Sequence, residues 1–278
     1  CNRVEPDAPR TLSRVACAMT EQLKSTSHGS TMILTISNPD ARNALGPGIY
    51  AAGIEALNVA ADSRDVHSVV ITGEGAQFSA GGNLHRLLDN RHKLPEHQAA
   101  SVDTFHAWIE CLDTFPKPVI AAVEGAAAGA GFSLVLACDL VVASQDSVFS
   151  LAYSNVGLSP DGGATWQLAR KLPRNLALQW LMLGERLSAA QLHERGLVNQ
   201  LCPAGQALNQ ALALAERLNA RAGNVMCSIK ELLTSAQAST LSDQLDAERD
   251  HLVRNLHHPN GGIGIQAFLD KSSPHYQR

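Results

Sequence analysis

Two rhythms of apolar and polar positions divide the chain. In its first part, short apolar runs bounded by turn residues predict strands: Thr31–Ser37 (TMILTIS), 66–72 (VHSVVIT), Val119–Val123 (VIAAV), 140–143 and Val148–Ser150. Helical spacing falls between them, at 47–61, 83–90, 98–114 and from 129 onward. After about residue 163 the pattern is nearly all helical, at 163–171, 173–183, 188–195, 205–221, 224–236, 241–257 and 260–271, with one late strand at 198–202. Strand and helix alternating, then helices alone, predict an α/β fold with a helical C-terminal part. Residues 1–29 are polar and carry no such rhythm, so they read as a flexible leader or an added extension.

Three stretches interrupt these rhythms with glycine. Pro116-Lys117-Pro118 ends a helix, and the strand 119–123 then leads through Ala126–Gly131, a run so poor in side chains that something must approach its backbone. A helix starting in such a bend presents free N–H groups backed by its dipole, which suits an oxyanion as readily as an empty turn. The loop 73–83 holds Phe78-Ser79-Ala80-Gly81-Gly82 and is either a linker or a second such bend. The third, Ser159-Pro160-Asp161-Gly162-Gly163, places an aspartate at a helix start, where capping alone is reason enough for it.

Composition narrows the partners. A net charge of −4 with a pI near 6.3 leaves no basic footprint for nucleic acid or an anionic membrane. Glu124, Asp139 and glycines break the one long apolar run, 118–143, so it reads as buried core rather than a membrane span. The six cysteines are widely spaced without C-x-x-C pairs, which reads as free thiols in a reducing, cytoplasmic setting and implies no metal. No fixed-period repeat appears in the letters.

Taken in order, the chain resembles the crotonase, or enoyl-CoA hydratase/isomerase, superfamily. The resemblance rests on Asn38-Pro39 with Arg42-Asn43-Ala44-Leu45, on Ile71-Thr72-Gly73 with Phe78-Ser79-Ala80-Gly81-Gly82, and on Lys117–Val123. It continues through Gly129-Ala130-Gly131, Leu136-Ala137-Cys138-Asp139 and Gly196-Leu197-Val198, covering about residues 30–275. It implies a spiral of ββα units over 30–205, a helical trimerisation region over 206–278, and a homotrimer or dimer of trimers. The ligand it implies is an acyl-CoA thioester, serving as substrate with no further cofactor. The family's oxyanion-hole amides map onto Gly82 and Ala130, and Arg42, Ala44 and Ala80 fall on its CoA-binding edge.

The departures are as informative. The two glutamates with which the family's hydratases activate water fall here on Ser133 and Tyr153, neither of them a carboxylate. Asp161 remains, and the ring-CoA isomerases of phenylacetate catabolism carry a proton-shuttling aspartate in a similar Pro-Asp turn. The segments around Leu241–Asp250 and Ala267–Pro274 also resemble that branch. The 4-chlorobenzoyl-CoA dehalogenases have a histidine placed like His106 and an aromatic near Tyr153; a structural histidine and a pocket-wall tyrosine are the plainer readings. The expectation is an enoyl-CoA isomerase with Asp161 as its base and acid. Its rivals are a hydratase or ring-opening (oxepin-CoA type) hydrolase, and a non-catalytic CoA- or RNA-binding member.

Overall fold

The computed structural model describes residues 21–277. The main sheet has the order β1-β2-β3-β4-β6-β9, formed by β1 (Gln22–His28), β2 (Thr31–Ser37), β3 (Ser68–Gly73), β4 (Val119–Val123), β6 (Leu140–Ser144) and β9 (Gln200–Cys202). All neighbours pair in parallel except β1, which runs antiparallel along β2 from Gln22↔Ser37 to His28↔Thr31. A smaller sheet, β5-β7-β8, joins β5 (Ala126–Ala128), β7 (Val148–Ser150) and β8 (Leu187–Ser188).

The central strands are apolar at nearly every position because both sheet faces are covered. Side chains alternate along them, so Val69, Ile71, Val119, Ala121 and Val123 enter the larger core. Val70, Ile120 and Ala122 face the other way, onto Ala207, Ala211 and Ala215 of α8 (Ala207–Asn219). Alanine every fourth residue gives that helix a flat stripe on which to lie against the strands. The larger core is closed by α1 (Pro47–Asp62), α3 (Pro95–Thr114) and α4 (Ala130–Ala137), through Tyr50, Leu57, Phe105, Trp108 and Phe132. All eight residues of α4 are buried. The apolar run 118–143 is therefore β4, β5, α4 and most of β6, a core segment, and no described helix is long and apolar enough to cross a membrane.

Two boundaries move relative to the sequence reading. The stretch assigned to the leader contains β1, so the core begins by Gln22; residues 1–20 lie outside the described ones. That strand is polar because it is an edge: its burial pattern is almost wholly exposed, and pairing to β2 defines it. At the other end α8 belongs to the core, since its alanines cover the sheet. The separate helical part is α9 (Gly223–Ala236), α10 (Leu241–His257) and α11 (Pro259–Leu269). Lys230 ties α9 to the core by donating to Leu112 O and Asp139 Oδ2, both at 2.9 Å. Asp139 Oδ2 also accepts from Val119 N–H at 2.8 Å; burial raises its carboxyl above the ordinary range, with Lys230 opposing. Among the described residues Cys111, Cys138, Cys202 and Cys227 are free thiols.

Candidate active site

Two glycine bends meet at the start of α4. The loop after β3 runs beside β5: Ser79 N–H donates to Ala126 O at 3.0 Å and Ala128 N–H returns to Ser79 O at 2.9 Å. The approach is close enough to exclude side chains. A Cβ on Gly131 would stand 2.8 Å from Ser79, and one on Gly81, whose φ is +87°, would stand 2.5 Å from Ala128 O and 3.1 Å from Ala130 N. This contact is what the side-chain-poor run 126–131 accommodates. Gly82 N–H and Ala130 N–H, one from each bend, donate to no described residue. Ala130 opens α4, so the helix dipole adds positive potential at its amide. Two unspent donors at a helix start can stabilise a thioester oxyanion.

Ser79 and Asn43 were not singled out as site residues from sequence, yet they set this geometry. Ser79 Oγ donates to Asn43 O at 2.8 Å and accepts from Gly81 N–H at 3.1 Å. The buried Asn43 holds Glu74 O and Gln77 O with its amide (2.9 and 2.7 Å) and accepts from Asn38 N–H at 3.0 Å. The available signal was an asparagine just after the Asn38-Pro39-Asp40 turn, a residue type that tolerates the left-handed region it occupies here, at φ 56°. Arg42 is exposed, also left-handed, and its carbonyl accepts from Ala80 N–H at 2.9 Å; Ala80 is exposed and Ala44 buried. Asn83 caps α2 (Leu84–Asn90) by accepting from Arg86 N–H at 3.2 Å.

The acid corner borders the start of α4, where a Cβ built on Gly129 would stand 3.8 Å from Tyr153 Cζ. Tyr153 Oη donates to Asp161 Oδ1 at 2.6 Å, and Ser133 Oγ, on α4, lies 3.1 Å from Tyr153 Oη and donates to Asp161 O at 3.0 Å. Tyr153 thus holds the Asp161 carboxylate and Ser133 its backbone carbonyl, a neutral cradle around one acidic residue. Asp161 Oδ2 makes no hydrogen bond to a described residue and is not sealed from the surface. Burial first, then the neighbouring Asp161 charge, pushes the Tyr153 phenol above its ordinary 10, so it stays a donor. Tyr50, also buried, is pushed up to about 12 by desolvation; Arg86 opposes the shift and Asp161 adds to it. Sequence reasoning missed both Tyr50 and Arg86, because only packing brings Tyr50 of α1 near the aspartate and Arg86 of α2 against Tyr50.

His106 of α3 reaches this corner from behind. Its Nε2 accepts from Gly162 N–H at 3.2 Å, which fixes the residue next to Asp161. It also lines a separate cavity of about 410 Å³ beside Gly163 and Trp166.

With bends and acid corner in place, the comparisons decide the family. The family model described as enoyl-CoA hydratase/isomerase matches residues 26–278. The chain belongs to that family. It is 34% identical to the 1,2-epoxyphenylacetyl-CoA isomerase of Escherichia coli (strain K12) over 88% of this chain and 94% of that protein. It is 32% identical to the 2,3-dehydroadipyl-CoA hydratase of the same organism, with the same coverage. Among solved structures, an enoyl-CoA hydratase from Polaromonas sp. JS666 superposes with a TM-score of 0.91 at 64% identity, over 92% of this chain and 99% of that one. The architecture described above is accordingly the crotonase fold, and the chain is an acyl-CoA enzyme.

Proposed function

We propose that this enoyl-CoA hydratase/isomerase family enzyme moves a carbon–carbon double bond of an enoyl-CoA, using Asp161 as its one proton carrier. The observation that carries the reading is the Tyr153–Asp161–Ser133 cradle, in which Asp161 supplies the only carboxylate. Asp161 Oδ2 takes a proton from the carbon next to the enoyl system. The electron pair released from that C–H bond spreads into a dienolate, whose charge rests on the thioester oxygen against Gly82 N–H and Ala130 N–H. The protonated carboxyl then returns its proton two carbons along. No oxidant, metal or added water enters this balance. Tyr153 keeps Oδ1 occupied and leaves Oδ2 to face the carbon chain.

The similarity to an isomerase of CoA thioesters supports this reading, and the hydratase relative supplies its rival. Water addition would need a second group to activate or orient the water, and Ser133 and Tyr153 are weak replacements for carboxylates. Incubating ring-derived and linear enoyl-CoAs in deuterated water separates the two. Isomerisation exchanges carbon-bound hydrogen without adding a water's mass. Asp161→Asn should lower kcat by about a thousandfold while CoA-thioester binding persists. Normal turnover by that variant would reduce Asp161 to a helix-start residue.

The exposed apolar side chains of α10 and α11, among them Leu241, Leu252 and Phe268, support assembly of the chain as a trimer or a dimer of trimers. Sedimentation equilibrium measures the assembly directly.

A further inference from the structure

A cavity of about 550 Å³ opens between α2 and the segment that leads into Asp161. Its lining residues neighbour both halves of the candidate site in the chain without including any site residue. Leu87 lines it and lies 3.8 Å from a Cβ built on Gly82, while Val156 and Leu158 line it shortly before Asp161. Its apolar lining is these three with Leu84 and Leu88. Arg91 and Lys93 also line it, and no aspartate or glutamate is among the lining residues. Lys93 Nζ donates to Asn90 Oδ1 at 2.9 Å, a neutral partner. The Arg91 side chain makes no hydrogen bond or ion pair among the described residues. The cavity is therefore greasy at Leu87, beside Gly82, and positively charged one helical turn further along α2, at Arg91, with no acidic residue in its lining.

From Asn83 to Arg91 the helical rise is roughly 12 Å, a span that a medium-length acyl chain and an arginine side chain cover together. Resting on the acyl-CoA reading above, we infer that the acyl group is one with an apolar middle and a terminal carboxylate, bound at its far end by Arg91 and Lys93. A CoA phosphate offers the same anionic chemistry. The lining by Val156, Gly157 and Leu158, the residues just ahead of the acid loop, assigns the charge to the acyl end instead.

The test is calorimetric titration of two saturated, unreactive thioesters of equal length, adipyl-CoA and hexanoyl-CoA. Wild type should bind adipyl-CoA about fivefold more tightly, the value of one well-placed exposed ion pair. The preference should fade at high salt. The double variant Arg91→Gln/Lys93→Gln should lose it with hexanoyl-CoA affinity unchanged, and Arg91→Glu/Lys93→Glu should reverse it. Equal wild-type affinities would overturn the inference, as would a double variant that weakens both ligands alike, since the cations would then serve the CoA phosphates. Turnover of a methyl-ended enoyl-CoA by wild type, alongside equal affinities, would leave the isomerase reading standing and remove only this one. Failure to bind either thioester would remove both.

Discussion

The two halves of the candidate site are built from different material. The oxyanion half consists of backbone: Gly82 N–H and Ala130 N–H, held by the contact of the 79–82 bend with the β5–α4 bend. The acid half consists of side chains: Ser133, Tyr153 and Asp161, with His106 behind them. A backbone donor survives substitution as long as the chain path survives. A side-chain cradle changes its chemistry with every residue. One half can therefore be common to a whole family while the other selects the reaction.

The largest effect expected from this contrast belongs to Asp161→Asn, the thousandfold loss of kcat described above; on the backbone side no single side chain should matter as much. Gly81→Ala comes next. Its Cβ would meet Ala128 O at 2.5 Å in a left-handed conformation, so the bend must shift and take the oxyanion donors with it. Steady-state kinetics should show kcat down by about a hundredfold, the cost of losing one such donor. Loss of folding, read by circular dichroism, would show instead that the bend holds the fold together.

Tyr153→Phe keeps the ring and removes the proton donor to Asp161 Oδ1. We expect kcat to fall by about tenfold with KM little changed, consistent with losing one charge-assisted hydrogen bond. The phenol also supplies a pH test. Tyr50 and Tyr153 both have folded pKa values raised above 10, so the folded state retains protons that the unfolded chain releases. Their contribution to stability is complete below pH 10 and is lost as pH rises from 10 towards 12. Urea midpoints should fall across that window, and the phenolate absorbance of these two should be absent at pH 10.5 while the protein is folded. Their ionisation in the folded protein at pH 10.5 would mean the corner is wetter than the packing indicates. The smallest effect is expected from Gly82→Ala. Its Cβ meets nothing nearer than Leu87 at 3.8 Å and its N–H is kept, so activity within twofold of wild type would sharpen the claim that only the amide matters.

Much of the fold could be read from the letters because periodicity reports burial. β2, β4 and β7 stand where the apolar runs placed them, and α10 matches its predicted span. What escaped was structure made by pairing: the polar edge strand β1, the alanine strand β5 and the two-residue β8. None of the three carries a burial rhythm, because each exists through its neighbour's hydrogen bonds. The same division runs through the site. Glycine is needed where two backbones touch, and that need marks the oxyanion bends in one dimension.

The sequence alone determined the buried strands, the helical tail and the glycine bends, since each depends on which residue types occupy nearby positions. Only the tertiary structure decided that Tyr153 donates to Asp161, that His106 holds Gly162, that Asn43 and Ser79 brace the 79–82 bend, and that Arg91 lines a largely apolar cavity. Those contacts join residues from separate elements, and their distances follow from how the helices and sheets pack, which no local pattern encodes.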